Sequence, residues 1–515
     1  MVFFSLAVSF PVVAEGTDLS VRQYCNPLEI CIADPSVLFH NGTYYLAGTG
    51  VARYVSRDMV NWERLGNYIE LKGSGLRPGI WAAEIHEKDG RFFYYFSAKA
   101  GVDDKRSICV AMTDSPATTF TKLAYPMLRD EKRGLIDPHV FADEDGTRYL
   151  YCTGDISQTG NAQVCVAPLG ADMKSLAAPL KECIKPSQPW ERKWQEGVWV
   201  TRWGDTYYML WSSRVYASPE YSVGFATSPS PMGPWTKYRG NPILKKTKLV
   251  SGPGHVSLAS SPDGKETFIL YHTHRTSAAG GARQLAIDRI HFEKDPGYPD
   301  RIVVEGPTRA PQPYPSGAAP TPIILGRDDF LGPGLDRRRW IAIWNENPPK
   351  WLLADGRLAI RTTPGQVHEK QSDGQNIFLQ YALRGDWRVT TRVHFACKEN
   401  FEQAFLVAWQ DSNNYVTLKK VFAKGQKIEA AAEIEEKYKA SFAPNPFGDD
   451  VFLRLEKREG RYRGFLSGNG KTWTPVGDPM EANLVDEKAG IGACCPQSTS
   501  GLETRFDFFD LERLP

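Results

Sequence analysis

Apolar and polar positions alternate along most of the chain, and tight-turn dipeptides punctuate the alternation at regular intervals. Five segments share one plan of an apolar strand, a turn and an aromatic strand: 34–50, 84–98, 137–154, 196–213 and 255–274. Their turns are Asn41-Gly42, Asp89-Gly90, Asp145-Gly146, Gly204-Asp205 and Asp263-Gly264. Such dipeptides supply the positive φ angles that two-residue hairpins need. Successive turns lie roughly 50 to 60 residues apart, which suits one four-stranded propeller blade per repeat. Further strand-like runs follow the hairpins at 107–112, 162–168 and 221–227. The pattern predicts a five-bladed β-propeller over residues 15–306.

Beyond it, residues 307–325 are dominated by Pro and small side chains, the composition of an extended surface linker. Period-2 alternation then resumes at 387–395, 405–410, 415–422, 452–477 and 505–512. No long helical period appears, so residues 326–515 are expected to form a β-sandwich of jelly-roll type. The whole chain is therefore predicted to be all-β.

The polar interruptions of the repeat carry the candidate chemistry. Asp34, Glu84, Asp137, Glu196 and His255 each fall six to nine residues before the second residue of their turn. This predicts equivalent places at the start of each blade's inner strand, where the strand ends of a propeller converge on one mouth. Four carboxylates at one mouth repel one another and resist burial. A single acid at a strand entrance reads as an exposed end; five polar residues in register point to function. Glu84 is the exception, expected to bond backbone N–H groups rather than to react.

Charge narrows the partner. Sixty-two basic and 60 acidic residues leave a net charge of +2, which gives no electrostatic reason to bind nucleic acid or an anionic membrane surface. Fourteen Trp and 12% aromatics suit the apolar faces of neutral sugars. Residues 1–14 read as a signal peptide, with Val12-Val13-Ala14 offering small residues for cleavage before Glu15. A secreted or periplasmic location is expected, and no later apolar run reaches the length of a membrane span. Export permits disulfides among the nine cysteines, Cys152 and Cys165 being candidate neighbours, while free buried thiols account for the cysteines equally well.

The motifs Ala33-Asp34-Pro35-Ser36-Val37, Trp81-Ala82-Ala83-Glu84-Ile85, Ile136-Asp137-Pro138-His139-Val140-Phe141, Glu196-Gly197-Val198-Trp199 and Gly252-Pro253-Gly254-His255, taken in this order, resemble glycoside hydrolase family 43. The runs at 221–238 and 283–299 are similar to that family as well, and the resemblance covers most of residues 25–310. The sequence from 328 resembles the concanavalin-like sandwich found on some family-43 xylosidases and arabinofuranosidases.

Hydrolysis of a glycosidic bond needs an acid for the leaving oxygen and a carboxylate on the opposite face of the sugar. The resemblance implies that Asp34 is the general base, Glu196 the general acid, and Asp137 the residue that raises the pKa of the acid and orients it. It implies that Trp81 walls the sugar subsite and that Arg283 contacts substrate. It implies no required cofactor, with His255 in the central channel as a substrate-side residue that in many members lies beside a water-coordinated structural calcium ion. Two positions depart from the family: Ala83 replaces a common proline, and His139 replaces a smaller residue and is expected to narrow the pocket.

The leading expectation is an exo-acting, inverting hydrolase of arabinose- or xylose-containing plant oligo- or polysaccharides. The alternatives are an endo-arabinanase and a carbohydrate-binding propeller without catalysis.

Overall fold

The structure, a computed structural model, describes residues 23–100, 105–156, 161–275, 282–318, 324–369, 371–497 and 501–515. The expected signal peptide at 1–14 lies outside the described residues.

Five four-stranded antiparallel sheets follow one another along the chain, each strand pairing with the next in sequence. Their inner strands are Ala33–His40, Trp81–Lys88, Gly134–Ala142, Gln195–Trp203 and Gly254–Ser260, in blades I to V. These inner strands touch in a closed ring, V back to I included, so the predicted five-bladed propeller is what the repeat forms. Turn chemistry sets the period: Asn41-Gly42 and Asp89-Gly90 hold both central residues at positive φ, between 48° and 73°, where the twist of the turn matches that of the strands it joins. Apolar clusters pack mainly between successive blades, as where Tyr44, Leu46 and Trp62 of blade I meet Phe268, Leu270 and Leu285 of blade V.

Each inner strand is broken by a bulge. The register shifts between Ala33 and Ser36, Trp81 and Glu84, Ile136 and His139, Glu196 and Trp199, and Gly254 and Ser257. One residue in each bulge is left-handed: Asp34 (56°), Ala82 (44°), Asp137 (55°), Gly197 (62°) and His255 (54°). A bulge re-aims the side chains it carries, and a left-handed non-glycine costs about 1–3 kcal/mol. This corrects the expected register. Asp34, Asp137 and His255 are equivalent, but Glu196 stands one residue before the bulge position, and Glu84 two residues after it.

Both ends of the propeller are fastened to blade V. Gln23–Tyr24 pairs with Gln312–Pro313, Leu28 N–H bonds Leu285 O, and Leu285 N–H bonds Ile30 O. The Asn26 side chain continues this ladder, donating to Ile287 O (2.8 Å) and accepting from Ile287 N–H (3.0 Å). Part of the extended Pro-rich 307–325 segment thus forms a short strand with the N-terminal Gln23–Tyr24; its residues 319–323 lie outside the described residues.

The C-terminal region is the predicted sandwich. One sheet runs in the order Ala342–Trp344, Ile377–Tyr381, Lys488–Cys494, Gln403–Asp411, Asn414–Phe422, Gln426–Ile434, Lys437–Pro444; the other is built around Trp387–His394 and Asp450–Arg458. Trp340, Phe378, Trp387, Leu406, Leu418 and Leu453 belong to the core between them. Cys152 and Cys165 are cross-strand partners, and all nine cysteines are free thiols.

Candidate active site

The bulges are held open by the neighbouring blade. In four blades the second-strand residue opposite the one before the bulge receives the N–H of the next blade's left-handed residue. Thr49 Oγ1 accepts from Ala82 (3.1 Å), Ser97 Oγ from Asp137 (2.9 Å), Ser212 Oγ from His255 (2.7 Å) and His272 Nδ1 from Asp34 (3.1 Å). Thr153 holds the same place in blade III, yet the Gly197 N–H goes to Asp137 Oδ2 at 3.0 Å. Thr153 Oγ1 has no hydrogen-bond partner among the described residues. The single break in this ring therefore falls where Asp137 grips the backbone beside Glu196. Gly197 is required there: a Cβ would stand 2.9 Å from the His255 ring.

Asp34 is buried and surrounded by donors. Arg283 Nη1 lies 2.8 Å from Oδ1, Thr49 Oγ1 donates to Oδ2, and His255 Nδ1 is 3.2 Å from Oδ1. Burial alone pushes the Asp34 carboxyl up, but the adjoining Arg283 guanidinium outweighs it and holds it well below the usual carboxylate range. His272 adds no charge. Its Nδ1 accepts the Asp34 N–H, and burial pulls its pKa down to about 3, so the ring is neutral with its proton on Nε2. Burial likewise lowers His255.

Glu196 meets the opposite environment. Trp194 Nε1 donates to Oε2 at 2.6 Å and Tyr221 Oη donates to Oε1 at 2.8 Å. Burial pushes Glu196 up to about 7, these two donors only partly opposing it, and the negative charge of Asp34 adds to the rise. Asp137 is raised well above its ordinary value, first by burial and then by Glu196. Asp137 and Glu196 thus titrate as a pair, in two steps that belong to both carboxyls. The motif glycines make room for this arrangement: a Cβ on Gly254 would stand 2.4 Å from the Tyr221 ring.

The structure brings Asp34, Asp137, Glu196, His255 and Arg283 to one mouth. Trp81 stands at its edge, 41% exposed, with the Arg106 guanidinium 3.2 Å from its ring centroid. Glu84 takes the structural part expected of it: Oε1 accepts from Val140 N–H (3.0 Å) and Oε2 from His139 Nδ1 (2.8 Å). His139 does not narrow the pocket. It is buried between blades, its Nε2 accepting from Val200 N–H at 3.0 Å, because its place two residues past the bulge turns it away from the mouth. On the axis, Asp34, Glu84, Asp137, Trp199 and His255 border a cavity of about 20 Å³, room for a single water. Among the described residues no group of three or more His, Cys, Asp or Glu side chains is placed to hold a metal; His255 alone faces the channel as a nitrogen donor.

Tyr221, Trp194, Thr49, Ser97, His272 and Arg106 were not singled out from the sequence. The sandwich also reaches this end of the propeller: Arg275 Nη1 donates to Ser372 O (2.7 Å), and Arg275 O accepts from Ser412 Oγ (3.3 Å) and Asn413 Nδ2 (3.1 Å).

An all-β propeller with two buried carboxyls in opposed environments at its mouth has the architecture of a propeller glycoside hydrolase, and comparison with known proteins agrees. Residues 24–298 match the family model of glycosyl hydrolases family 43, and residues 327–512 match the beta xylosidase C-terminal concanavalin A-like domain. The chain belongs to glycosyl hydrolases family 43 and is a glycoside hydrolase. It is 22% identical over 508 residues to a xylan 1,3-beta-xylosidase from a Vibrio species, covering 89% of this chain and 91% of the relative. It is 26% identical over 306 residues to an extracellular exo-alpha-(1->5)-L-arabinofuranosidase of Streptomyces avermitilis, covering 53% and 62%. Among solved structures, a thermostable family-43 glycoside hydrolase superposes with a TM-score of 0.53 at 38% identity, over 57% of this chain and 99% of its own.

Proposed function

We propose that this chain is an inverting, exo-acting glycoside hydrolase that removes terminal arabinose or xylose from neutral plant glycans, outside the cytoplasm. The observation that carries the reading is the opposed pair of environments. Asp34 is held ionised by Arg283 and serves as the base that takes a proton from water. Glu196, raised to about 7, serves as the acid that protonates the leaving oxygen. Environments that drive two carboxyls apart in pKa are the mark of an acid–base pair. Asp137 titrates as a pair with Glu196 and fixes the Glu196-Gly197 backbone, and Arg283 and Trp81 bind the sugar. Exo action is supported by the sandwich, which braces the Arg275 end of the segment leading to Arg283, and by the full-length likeness to a xylosidase. A calcium ion beside His255, if bound, is held through water; every step above is carried by the chain's own residues.

Proton NMR of fresh product on arabino- and xylo-oligosaccharides tests the reading. The first anomer to appear is expected to be inverted, and the product a monosaccharide. Initial formation of the retained anomer would refute attack by water activated at Asp34, and a ladder of internal cuts would refute exo action.

Asp137→Asn separates an electrostatic role from a structural one. With two carboxyls in the pair, the upper titration step is raised by the negative charge left after the first. Replacing Asp137 by Asn leaves Glu196 to titrate alone, so the alkaline limb of kcat/KM is expected to move to lower pH. If Asp137 only ties the Gly197 N–H, the melting temperature falls while the limb stays in place.

A further inference from the structure

Tyr216 lies in the segment between Thr206–Ser213 and Ser222–Ser228 of blade IV. Ser213 pairs with Gln195, so this segment leaves its sheet beside Glu196. Tyr216 is 42% exposed, yet its backbone is pinned. Tyr216 O accepts from His274 Nε2 (2.7 Å), and Ser251 Oγ and His274 Nδ1 are 2.9 Å apart. Ser218 N–H bonds Val215 O (2.8 Å), and Arg214 Nε donates to Trp190 O at 3.1 Å. Gly252 is needed for this support, since a Cβ there would stand 2.4 Å from the His274 ring. An aromatic ring exposed on a fixed backbone is placed for contact.

One face of the ring is occupied. The Arg283 guanidinium lies 4.5 Å from the Tyr216 centroid while its Nη1 holds Asp34. Trp81 repeats the device, with Arg106 on one face and Arg106 Nη1 anchored to Gly79 O at 2.5 Å. In a five-fold ring, blade II, which carries Trp81, stands diametrically opposite the boundary of blades IV and V, where Tyr216 meets His274 and Arg283. Two arginine-backed aromatics therefore flank the carboxylates from opposite sides. Trp81 and Tyr216 remain 41% and 42% exposed, which leaves ring surface for the C–H face of a sugar, and the cation behind each holds the ring in place.

Resting on the glycosidase reading above, we infer that Tyr216 is the second aromatic wall of the substrate pocket, stacking on the terminal sugar opposite Trp81 and so setting the width of sugar admitted. Stacking binds the terminal ring before and during reaction alike, so its loss belongs in affinity rather than in turnover. For Tyr216→Ala, KM for an aryl glycoside of the preferred sugar and the inhibition constant of the free monosaccharide product are both expected to rise, by about tenfold, with kcat changed far less. Tyr216→Phe, which keeps the ring, should recover most of the loss. Should the Ala variant not fold, Tyr216→Leu, with bulk but no aromatic face, is measured in its place. A loss confined to kcat with a displaced acidic limb would mean that Tyr216 acts only through Arg283 on Asp34 and would overturn the inference, as would an unchanged KM and inhibition constant in a folded variant. Failure of the wild type to hydrolyse any glycoside, with monosaccharide binding still weakened in Tyr216→Ala, would sink the glycosidase reading and leave the wall standing.

Discussion

Glu196→Gln is expected to lower kcat on natural, unactivated glycosides by about 10²–10⁴ while the fold survives. The geometry explains why the fold should hold. Trp194 Nε1 donates to one oxygen of Glu196 and Tyr221 Oη to the other. An amide oxygen can still accept from Trp194, and a tyrosine hydroxyl can turn to accept from the amide N–H₂. What the amide cannot do is hand a proton to the leaving oxygen. A leaving group that departs as a stable anion needs no such proton, so hydrolysis of an activated aryl glycoside should lose far less. The alkaline limb follows: with burial holding Glu196 near 7, the wild type should decline as pH rises through that value, and the variant should lose this dependence on the activated substrate. Rates across aryl glycosides of graded leaving-group acidity provide the measurement, the slope steepening in the variant. Activity within tenfold of wild type on a natural glycoside would remove Glu196 from the acid's role.

The parts of this site that were legible in the sequence are those that repeat. Turn dipeptides at blade spacing marked the five hairpins, and Asp34, Asp137 and Glu196 were visible because carboxyls in strand entrances are conspicuous against an apolar pattern. Their exact register was not legible. A bulge consumes one extra residue without altering the alternation on either side, so Glu196 and Glu84 looked equivalent to Asp34 although they stand one residue before and two after the left-handed position. That offset decides function: Glu196 is turned towards Trp194 and Tyr221 at the mouth, while Glu84 is turned into the blade interface to bond Val140 N–H and His139. The same offset overturned the expectation for His139.

The supporting residues were hidden for a different reason. Thr49, Ser97, Ser212 and His272 lie at or near the ends of the second strands, and each works on the blade that follows rather than on its own. No pattern within one hairpin displays a contact made across a blade boundary. The pairing Gly254↔His272 shows where the signal lay: the residue opposite the one that precedes the bulge is a hydroxyl in four blades and an imidazole in the fifth. Tyr221 opened a run whose likeness to the family was visible, but nothing in its spacing revealed that the small residue at Gly254 was making room for its ring.

Asp34→Asn is expected to cost about 10²–10⁴ in kcat, and by nearly the same factor on natural and activated substrates. Water must be deprotonated as it attacks whichever group departs, so a good leaving group gives no relief. This contrast with Glu196→Gln assigns base and acid without a structure of the complex. The substitution is mild for the fold. Asp34 sits at φ 56°, a region that asparagine tolerates better than most residues, and an amide can accept from Arg283 through its oxygen and donate to Thr49 Oγ1 through its nitrogen. The pH profile supplies the sign. Asp34 is held well below the usual carboxylate range, so the wild type's acidic limb lies at low pH, where Asp34 gains a proton and activity falls; in the variant that limb should disappear. The negative charge of Asp34 also helps to raise Glu196, so its removal, with Arg283 left in place, should draw the alkaline limb to lower pH. Residual activity that keeps the wild-type acidic limb, or a loss that grows as the leaving group worsens, would show that Asp34 does not activate the water.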